Sequence, residues 1–149
     1  MTAAGFAEKI LDAMLGHLGI HAEIQVQETG DGTCLQVFSA EKELIIGDHG
    51  DRLDDIQYLV NRILRRQMPD AARIKVDCEY FRSMQEDQLQ EEVKELIELV
   101  KAQSKTYHMR PLNAYYRRLV YNVISLDKDV TAVSPSGDDR MKRISISPK

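Results

Sequence analysis

The sequence predicts an α+β protein made of two small units joined by a long helix. Apolar residues recur every three or four positions over 3–18, which is typical of an amphipathic helix, and alternate over 22–28, which is typical of a strand. A G-x-x-G turn at 47–50 is followed directly by a second amphipathic pattern. Charge is uneven along the chain. Residues 1–102 hold 11 Lys/Arg and 20 Asp/Glu, whereas residues 103–149 hold 9 and 4, so the two parts are expected to have different electrostatic tasks.

Composition limits the classes of protein to consider. The 149 residues are 43% hydrophobic, enough for a packed core, and the net charge of −4 argues against a globally basic nucleic-acid binder. No apolar run approaches the roughly 20 residues of a membrane span, so no membrane insertion is expected. The N-terminal stretch carries acids and no cleavage site, which favours a structural helix over a signal peptide. Cys34 and Cys78 are isolated, which suggests reduced core thiols in the cytoplasm.

The first unit begins with a predicted helix over 3–18 and a β-hairpin. The hairpin strands are 22–28, with Ile24 and Val26 on one side, and 34–38, joined by the turn residues 29–32. The apolar stripe of the helix is expected to comprise Phe6, Ile10, Leu11, Met14, Leu15 and Leu18.

A short helical or turn segment over 41–46 leads into the glycines. Asp51 is the predicted N-cap of the next helix, Asp54 occupies the acid position of a capping box, and Pro69 ends the helix. A third strand follows, in which Ile74, Val76 and Cys78 alternate with polar residues. The buried stripe of the helix is predicted to be Leu53, Ile56, Leu59, Val60, Ile63 and Leu64, and its exposed end carries Arg62, Arg65 and Arg66.

A G-x-x-G turn before a helix can hold a nucleic-acid backbone, because small residues let phosphates approach the N–H groups of a helix N-terminus. Here the two middle residues are Asp48 and His49. The carboxylate of Asp48 has the wrong charge for a phosphate, and His49 offsets it only when protonated.

Residues 81–103 predict a long helix with an acidic outer face. Its apolar positions are Leu89, Val93, Leu96, Ile97 and Val100. A solvated helix packed along one side is the favoured interpretation, and a short coiled-coil dimer seam is the alternative. The C-terminal unit predicts a strand at 106–109, a helix beginning at Pro111, and strands at 130–133 and 140–146 joined by a Ser-Pro-Ser-Gly-Asp turn.

The order helix, strand, strand, short helix, G-x-x-G, helix, strand resembles a type II KH domain over about residues 3–80. The later segment NAYYRRLVY, residues 113–121, is similar to the helix of the R-x-x-x-H family of single-stranded nucleic-acid binders. The motif arginine falls on Arg117, and Tyr121 replaces the histidine. Together these units resemble the bacterial Jag (KhpB, SpoIIIJ-associated) family. The implied domains are a KH domain at 1–80, a connecting helix at 81–104 and an R-x-x-x-H-like domain at 105–149.

This resemblance implies a non-catalytic, cytoplasmic RNA-binding protein that prefers single-stranded RNA and needs no cofactor. It also implies bacterial post-transcriptional regulation linked to cell elongation or division. Arg117 and Arg118 are expected to contact phosphates, and Tyr121 or Tyr115 to offer a stacking face, with a solvated helix surface and core packing as the respective structural alternatives. The expected nucleic-acid-binding residues are Gly47, Asp48, His49, Gly50, Arg62, Arg65, Arg66, Arg117, Arg118, Tyr121, Lys142 and Arg143.

Two other functions are consistent with the sequence. One is a protein-interaction scaffold, in which a KH unit weakened by Asp48 docks a partner KH protein or a second copy of the chain. The other is an enzyme or metal site in the acidic cluster after Gly47. Helix capping and the helix dipole explain Asp51 and Asp54, and no nucleophile–base pair accompanies them, so neither catalysis nor metal binding is expected. The cluster comprises Asp48, His49, Asp51, Asp54 and Asp55.

Overall fold

The computed structural model describes all residues from 1 to 149 and divides into two compact units, Met1–Arg82 and Ser83–Lys149. Both units contain helices and strands, so the predicted α+β class is confirmed. None of the helices has the length and apolar content needed to cross a bilayer.

The first unit follows the predicted order of elements. Its sheet has the strand order β1-β2-β3, with an antiparallel β1–β2 hairpin and a parallel β2–β3 pair. The hairpin prediction is therefore confirmed. The elements are α1 (Ala3–His17), β1 (Glu23–Thr29), β2 (Gly32–Phe38), α2 (Lys42–Ile46), α3 (Asp51–Gln67) and β3 (Lys75–Cys78), after which α4 (Phe81–Gln103) begins.

Helices α1 and α3 contribute to the core that covers one face of this sheet. Part of the predicted apolar stripe of α3 is wrong, since Leu59 and Ile63 are 45% and 40% exposed. The inward-facing positions are taken by the buried amides Gln57, which hydrogen-bonds the backbone of β3, and Asn61, which hydrogen-bonds the backbone of the residue just before β3. Leu18, at the end of α1, is also exposed rather than part of the stripe.

A buried carboxylate stabilises the beginning of α4. Asp77 of β3 is 3% exposed and accepts hydrogen bonds from the side-chain amide of Gln36 (3.1 Å) and from the backbone N–H of Arg82 (3.2 Å). The backbone N–H of Cys78 is a third donor, at 2.8 Å. A buried charge needs such donors to offset its lost hydration.

The second unit places α4 and a second helix against a small antiparallel sheet. The stripe residues Leu89, Val93, Ile97 and Val100 of α4 are buried in the core of this unit. These residues are therefore not available to form the apolar seam of a coiled-coil dimer. The remaining elements are β4 (Tyr107–His108), α5 (Ala114–Ile124), β5 (Val130–Val133) and β6 (Ser145–Pro148), with strand order β4-β6-β5.

Two predicted boundaries in this unit are wrong. The helix expected from Pro111 begins at Ala114, because the side chain of Asn113 caps it by accepting from the N–H of Tyr116 at 2.9 Å. The strand expected over 140–146 runs instead over Ser145–Pro148, the stretch that pairs with β5. Before it, Lys142 forms only an isolated antiparallel bridge with Leu112.

Candidate nucleic-acid interface

The G-x-x-G turn requires both of its glycines. Gly47 and Gly50 have φ angles of +71° and +85°, and a Cβ atom on them would lie 2.8 Å from the Cβ of Arg52 and 2.9 Å from the Cε1 of Phe81. Positive φ and lack of space both exclude a side chain. The N–H of Gly47 already donates to the carbonyl of Glu43 at 3.0 Å, so this amide is used within the protein.

Carboxylates surround the turn. Asp48 and Asp51 are exposed, and the predicted N-cap was wrong: Gly50, in the left-handed conformation, is the N-cap of α3, and Asp51 is its first residue. Asp54 does not complete a capping box but forms a salt bridge of 2.7 Å with Arg82. The positive end of the α3 dipole is thus already compensated by acids, which disfavours a phosphate there.

The three arginines at the end of α3 lie far from this turn. Arg62, Arg65 and Arg66 are exposed and form no salt bridge or side-chain hydrogen bond. They follow Gly50 by 12 to 16 residues, which at the helical rise is about 18–24 Å along the axis. The structure does not bring them together with the turn.

In the second unit, the side chain of Arg117 hydrogen-bonds to backbone carbonyls of the protein. Its Nη1 atom donates to the carbonyl of Leu112 at 2.6 Å and to the carbonyl of Arg140 at 3.3 Å. The residue is half-buried. The neighbouring Arg118 is exposed and has no such partner.

The tyrosines expected to stack on bases also contact the protein. Tyr121 is half-buried against the core, and its hydroxyl donates to the Oγ of Ser134 at 2.8 Å. Tyr115 is 50% exposed, donates to the Oε1 of Glu86 at 2.7 Å, and packs edge-on against Tyr116. Tyr115 therefore keeps about half of its surface accessible to solvent.

The residue Leu112, shortly before α5, and the side chain of Arg117 both contact the segment before β6. Leu112 and Lys142 exchange backbone hydrogen bonds of 2.9 and 3.0 Å, and the Nζ of Lys142 donates to the carbonyl of Gly137 at 2.7 Å. Arg140 and Arg143 are exposed and unpaired. We call the basic residues of α5 and of this segment together the α5 basic surface; they are Arg117, Arg118, Arg140, Lys142 and Arg143.

Arg140 is not among the binding residues predicted from the sequence, although it lies in the basic run over 140–143. The acids Asp138 and Asp139 precede it and are exposed. Asp127 is paired elsewhere: its hydrogen bond with the Lys101 ammonium lowers the pKa of this carboxyl.

The acidic cluster of the first unit does not form a metal centre in this geometry. The structure contains no group of three or more His, Cys, Asp or Glu side chains arranged to hold a metal ion. Asp54 is instead held by Arg82, as described above.

The fold defines a two-unit α+β protein whose first unit has the element order and turn of a KH-type fold. No protein-family model matches the chain. The chain is 27% identical over 147 residues to the RNA-binding protein KhpB of Clostridium symbiosum, a match that covers 99% of this chain. This similarity supports the resemblance to the Jag (KhpB) family that the sequence predicts. The chain spans 65% of the length of that relative.

Proposed function

We propose that this chain is a non-catalytic RNA-binding protein that prefers single-stranded RNA. The observation that carries the proposal is the α5 basic surface, in which Arg118, Arg140 and Arg143 are exposed and unpaired in a chain of net charge −4. Cations retained without a protein partner fit a polyanionic ligand. The similarity to a protein named as RNA-binding supports the same class of ligand.

Within this proposal the second unit supplies most of the affinity. Arg118 and Arg143 contact phosphates, while Arg117 and Lys142 add positive charge to the same surface. The turn at Gly47 and Gly50 contributes a weaker backbone contact, since the carboxylate of Asp48 repels the phosphate. Arg62, Arg65 and Arg66 form a separate basic end of the first unit.

The preference for single strands follows from the aromatic component of the site. Tyr115 lies three residues before Arg118 on α5, so the two are neighbours on the helix surface. An exposed ring beside a cation can stack on an unpaired base while the cation contacts the adjacent phosphate. Tyr121 offers only the part of its ring that the core leaves uncovered. In a duplex the base faces are stacked on one another, so these tyrosine rings cannot stack on them.

We further propose that this binding serves bacterial post-transcriptional regulation in the cytoplasm, in connection with cell elongation or division. This part of the proposal rests on the family resemblance.

A protein-interaction scaffold is the second candidate. One observation favours it: α3 exposes the apolar side chains of Leu59 and Ile63 beside Tyr58, which is 65% exposed. Neighbouring exposed apolar residues are typical of a protein-binding surface. The occupant would be a KH-domain partner or a second copy of this chain. Sedimentation of the wild type and of Leu59→Lys distinguishes the candidates, since only self-association through α3 is lost in the variant.

The proposed RNA binding is tested by fluorescence anisotropy with a labelled single-stranded RNA of mixed sequence at low and moderate salt. Unlabelled single-stranded RNA, the same sequence as a duplex, and single-stranded DNA serve as competitors. The proposal expects single-stranded RNA to compete best and the affinity to fall with salt. Absence of binding at low salt, or stronger competition by the duplex, would overturn it.

A further inference from the structure

Arg117 and Tyr121 lie one helical turn apart on α5 and both reach the loop of residues 134–143. Tyr121 donates to the Oγ of Ser134 at 2.8 Å, at the start of the loop. Arg117 donates to the carbonyl of Arg140 at 3.3 Å, near its end, and to that of Leu112 at 2.6 Å. The helix thereby holds this loop at both ends.

We propose that Arg117 and Tyr121 are positioning residues, which hold the loop so that Arg140 and Arg143 can contact the RNA together with Arg118. This inference rests on the proposed RNA binding and changes the assignment of its residues. It adds Arg140, which the sequence did not single out, to the direct contacts made by Arg118 and Arg143, and it gives Arg117 and Tyr121 a positioning role.

The contacts of the two motif residues favour this role. The Nη1 atom of Arg117 donates to the Arg140 carbonyl, a backbone acceptor that the loop would otherwise present to water, and its second bond to the Leu112 carbonyl fixes the half-buried guanidinium in place. Tyr121 uses its hydroxyl on Ser134, and its ring packs on the core. Arg117 would have to break these contacts in order to bind a phosphate, and Tyr121 would have to release Ser134 in order to offer its hydroxyl to the RNA.

The loop needs such positioning because its charges are mixed. Asp138 and Asp139 stand directly before Arg140, and all three are exposed. A mobile loop would present carboxylates and cations to the RNA in turn. Holding Ser134 and the Arg140 carbonyl against α5 fixes which charges face the ligand and lowers the entropy lost on binding. The hydrogen bond from Lys142 to Gly137 adds a further constraint within the loop.

The test compares changes that leave charge intact with changes that remove it. Tyr121→Phe keeps the ring and removes only the hydroxyl, and Ser134→Ala removes its partner. Arg117→Met removes a charge and the contacts with both carbonyls, and Arg118→Met, at the adjacent exposed position, is its matched control. Each variant is measured for single-stranded RNA affinity, for the salt dependence of that affinity, and for amide hydrogen exchange over residues 134–143 without RNA.

Positioning predicts that Tyr121→Phe weakens binding about fivefold, the effect of losing one hydrogen bond. Ser134→Ala should have the same effect, and the double variant should be no worse than either single one. Arg117→Met should reduce the salt slope by about two phosphate contacts, since the loop cations lose their placement, whereas Arg118→Met should reduce it by about one. Exchange over 134–143 should rise in every variant except Arg118→Met.

Direct contact by the motif residues predicts a different pattern. Arg117→Met and Arg118→Met would then lower the salt slope equally, with exchange in the loop unchanged, and Ser134→Ala would bind RNA like the wild type. Either result overturns the inference. If the wild type does not bind RNA at all, the proposed function fails and the inference fails with it. Hydrogen exchange then still reports, independently of RNA, whether Arg117 and Tyr121 hold the loop.

Discussion

The side-chain amide of Asn61 forms two hydrogen bonds with the backbone of Ile74: its Nδ2 donates to the carbonyl at 2.7 Å, and its Oδ1 accepts from the N–H at 2.8 Å. Gln57 accepts from the N–H of Val76 at 2.9 Å, and the Nε of Arg82 donates to the Val76 carbonyl at 2.9 Å. Side chains of the same unit therefore satisfy the outer backbone groups of Val76 in β3 and of Ile74 just before it, which blocks pairing with another strand at these two residues.

Replacing Asn61 should destabilise the first unit. Asn61→Ala leaves a buried N–H and a buried carbonyl of Ile74 without partners, and we expect a loss of about 2–4 kcal/mol in the free energy of unfolding. Urea unfolding checks this value. Asn122→Ala, at an exposed position of α5, is the control and should change the free energy by less than about 0.5 kcal/mol. A similar small loss for both variants would contradict the structural role of Asn61.

The same Gly→Ala substitution is predicted to lower stability in the G-x-x-G turn and to raise it in α1. Gly47→Ala combines a positive φ with a 2.8 Å approach to Arg52 and should cost about 1–3 kcal/mol. Gly16→Ala, in α1 with nothing within 4 Å of the added Cβ, should stabilise the protein by about 0.5–1 kcal/mol. Thermal unfolding of both variants measures the difference. Equal transition temperatures would show that the turn tolerates a side chain.

The buried thiol of Cys78 predicts a loss of stability in alkali. Burial, assisted by the carboxylates of Glu79 and Asp77, raises its pKa from 9.0 to about 11. The folded protein therefore retains this proton more tightly than the unfolded chain. The stabilising contribution is complete below pH 9.0 and is lost as the pH rises toward about 11.

Cys78→Val isolates this contribution, because valine has a similar volume and no ionisable group. Between about pH 8 and pH 10.5 the wild type should lose more stability than the variant, by an amount on the order of 1 kcal/mol. Urea unfolding at the two pH values gives the comparison. The same loss in both proteins would mean that Cys78 ionises as readily in the fold as in the unfolded chain.

Asp48 should limit any contact between the G-x-x-G turn and a phosphate. Asp48→Lys changes the local charge by two and should strengthen binding of single-stranded RNA about three- to tenfold at low salt, with a steeper salt dependence. Anisotropy titrations measure both quantities. Asp31→Lys, in the exposed hairpin turn, makes the same change in net charge and should have a smaller effect. Equal gains in the two variants would indicate only a long-range charge effect.

Hydrophobic periodicity predicted the element order of the first unit because α1, the hairpin and α3 each bury one face against a single core. The pattern could not show that Gln57 and Asn61, rather than Leu59 and Ile63, face inward. That choice depends on the unpaired edge of β3, which is distant in sequence from Asn61. The N-cap was missed for a similar reason, since Gly50 already occupies that position in the left-handed conformation.

The candidate site was predictable in part. The charge asymmetry and the arginine pair indicated the basic residues of α5 as a candidate site, but sequence spacing carries no information about where a guanidinium points. Arg117 and Arg118 are adjacent in the chain, yet Arg117 is hydrogen-bonded to two backbone carbonyls and Arg118 is exposed. Only the folded path of residues 134–143 past α5 distinguishes them.

The central claim, that the second unit carries the RNA binding, is tested most directly by two matched charge reversals. Arg118→Glu/Arg143→Glu alters exposed residues of the α5 basic surface, and Arg62→Glu/Arg66→Glu makes the same change in charge on α3. Anisotropy with single-stranded RNA should show binding abolished in the first double variant and reduced less than about threefold in the second. Loss of binding in the α3 variant with binding retained in the α5 variant would contradict the account.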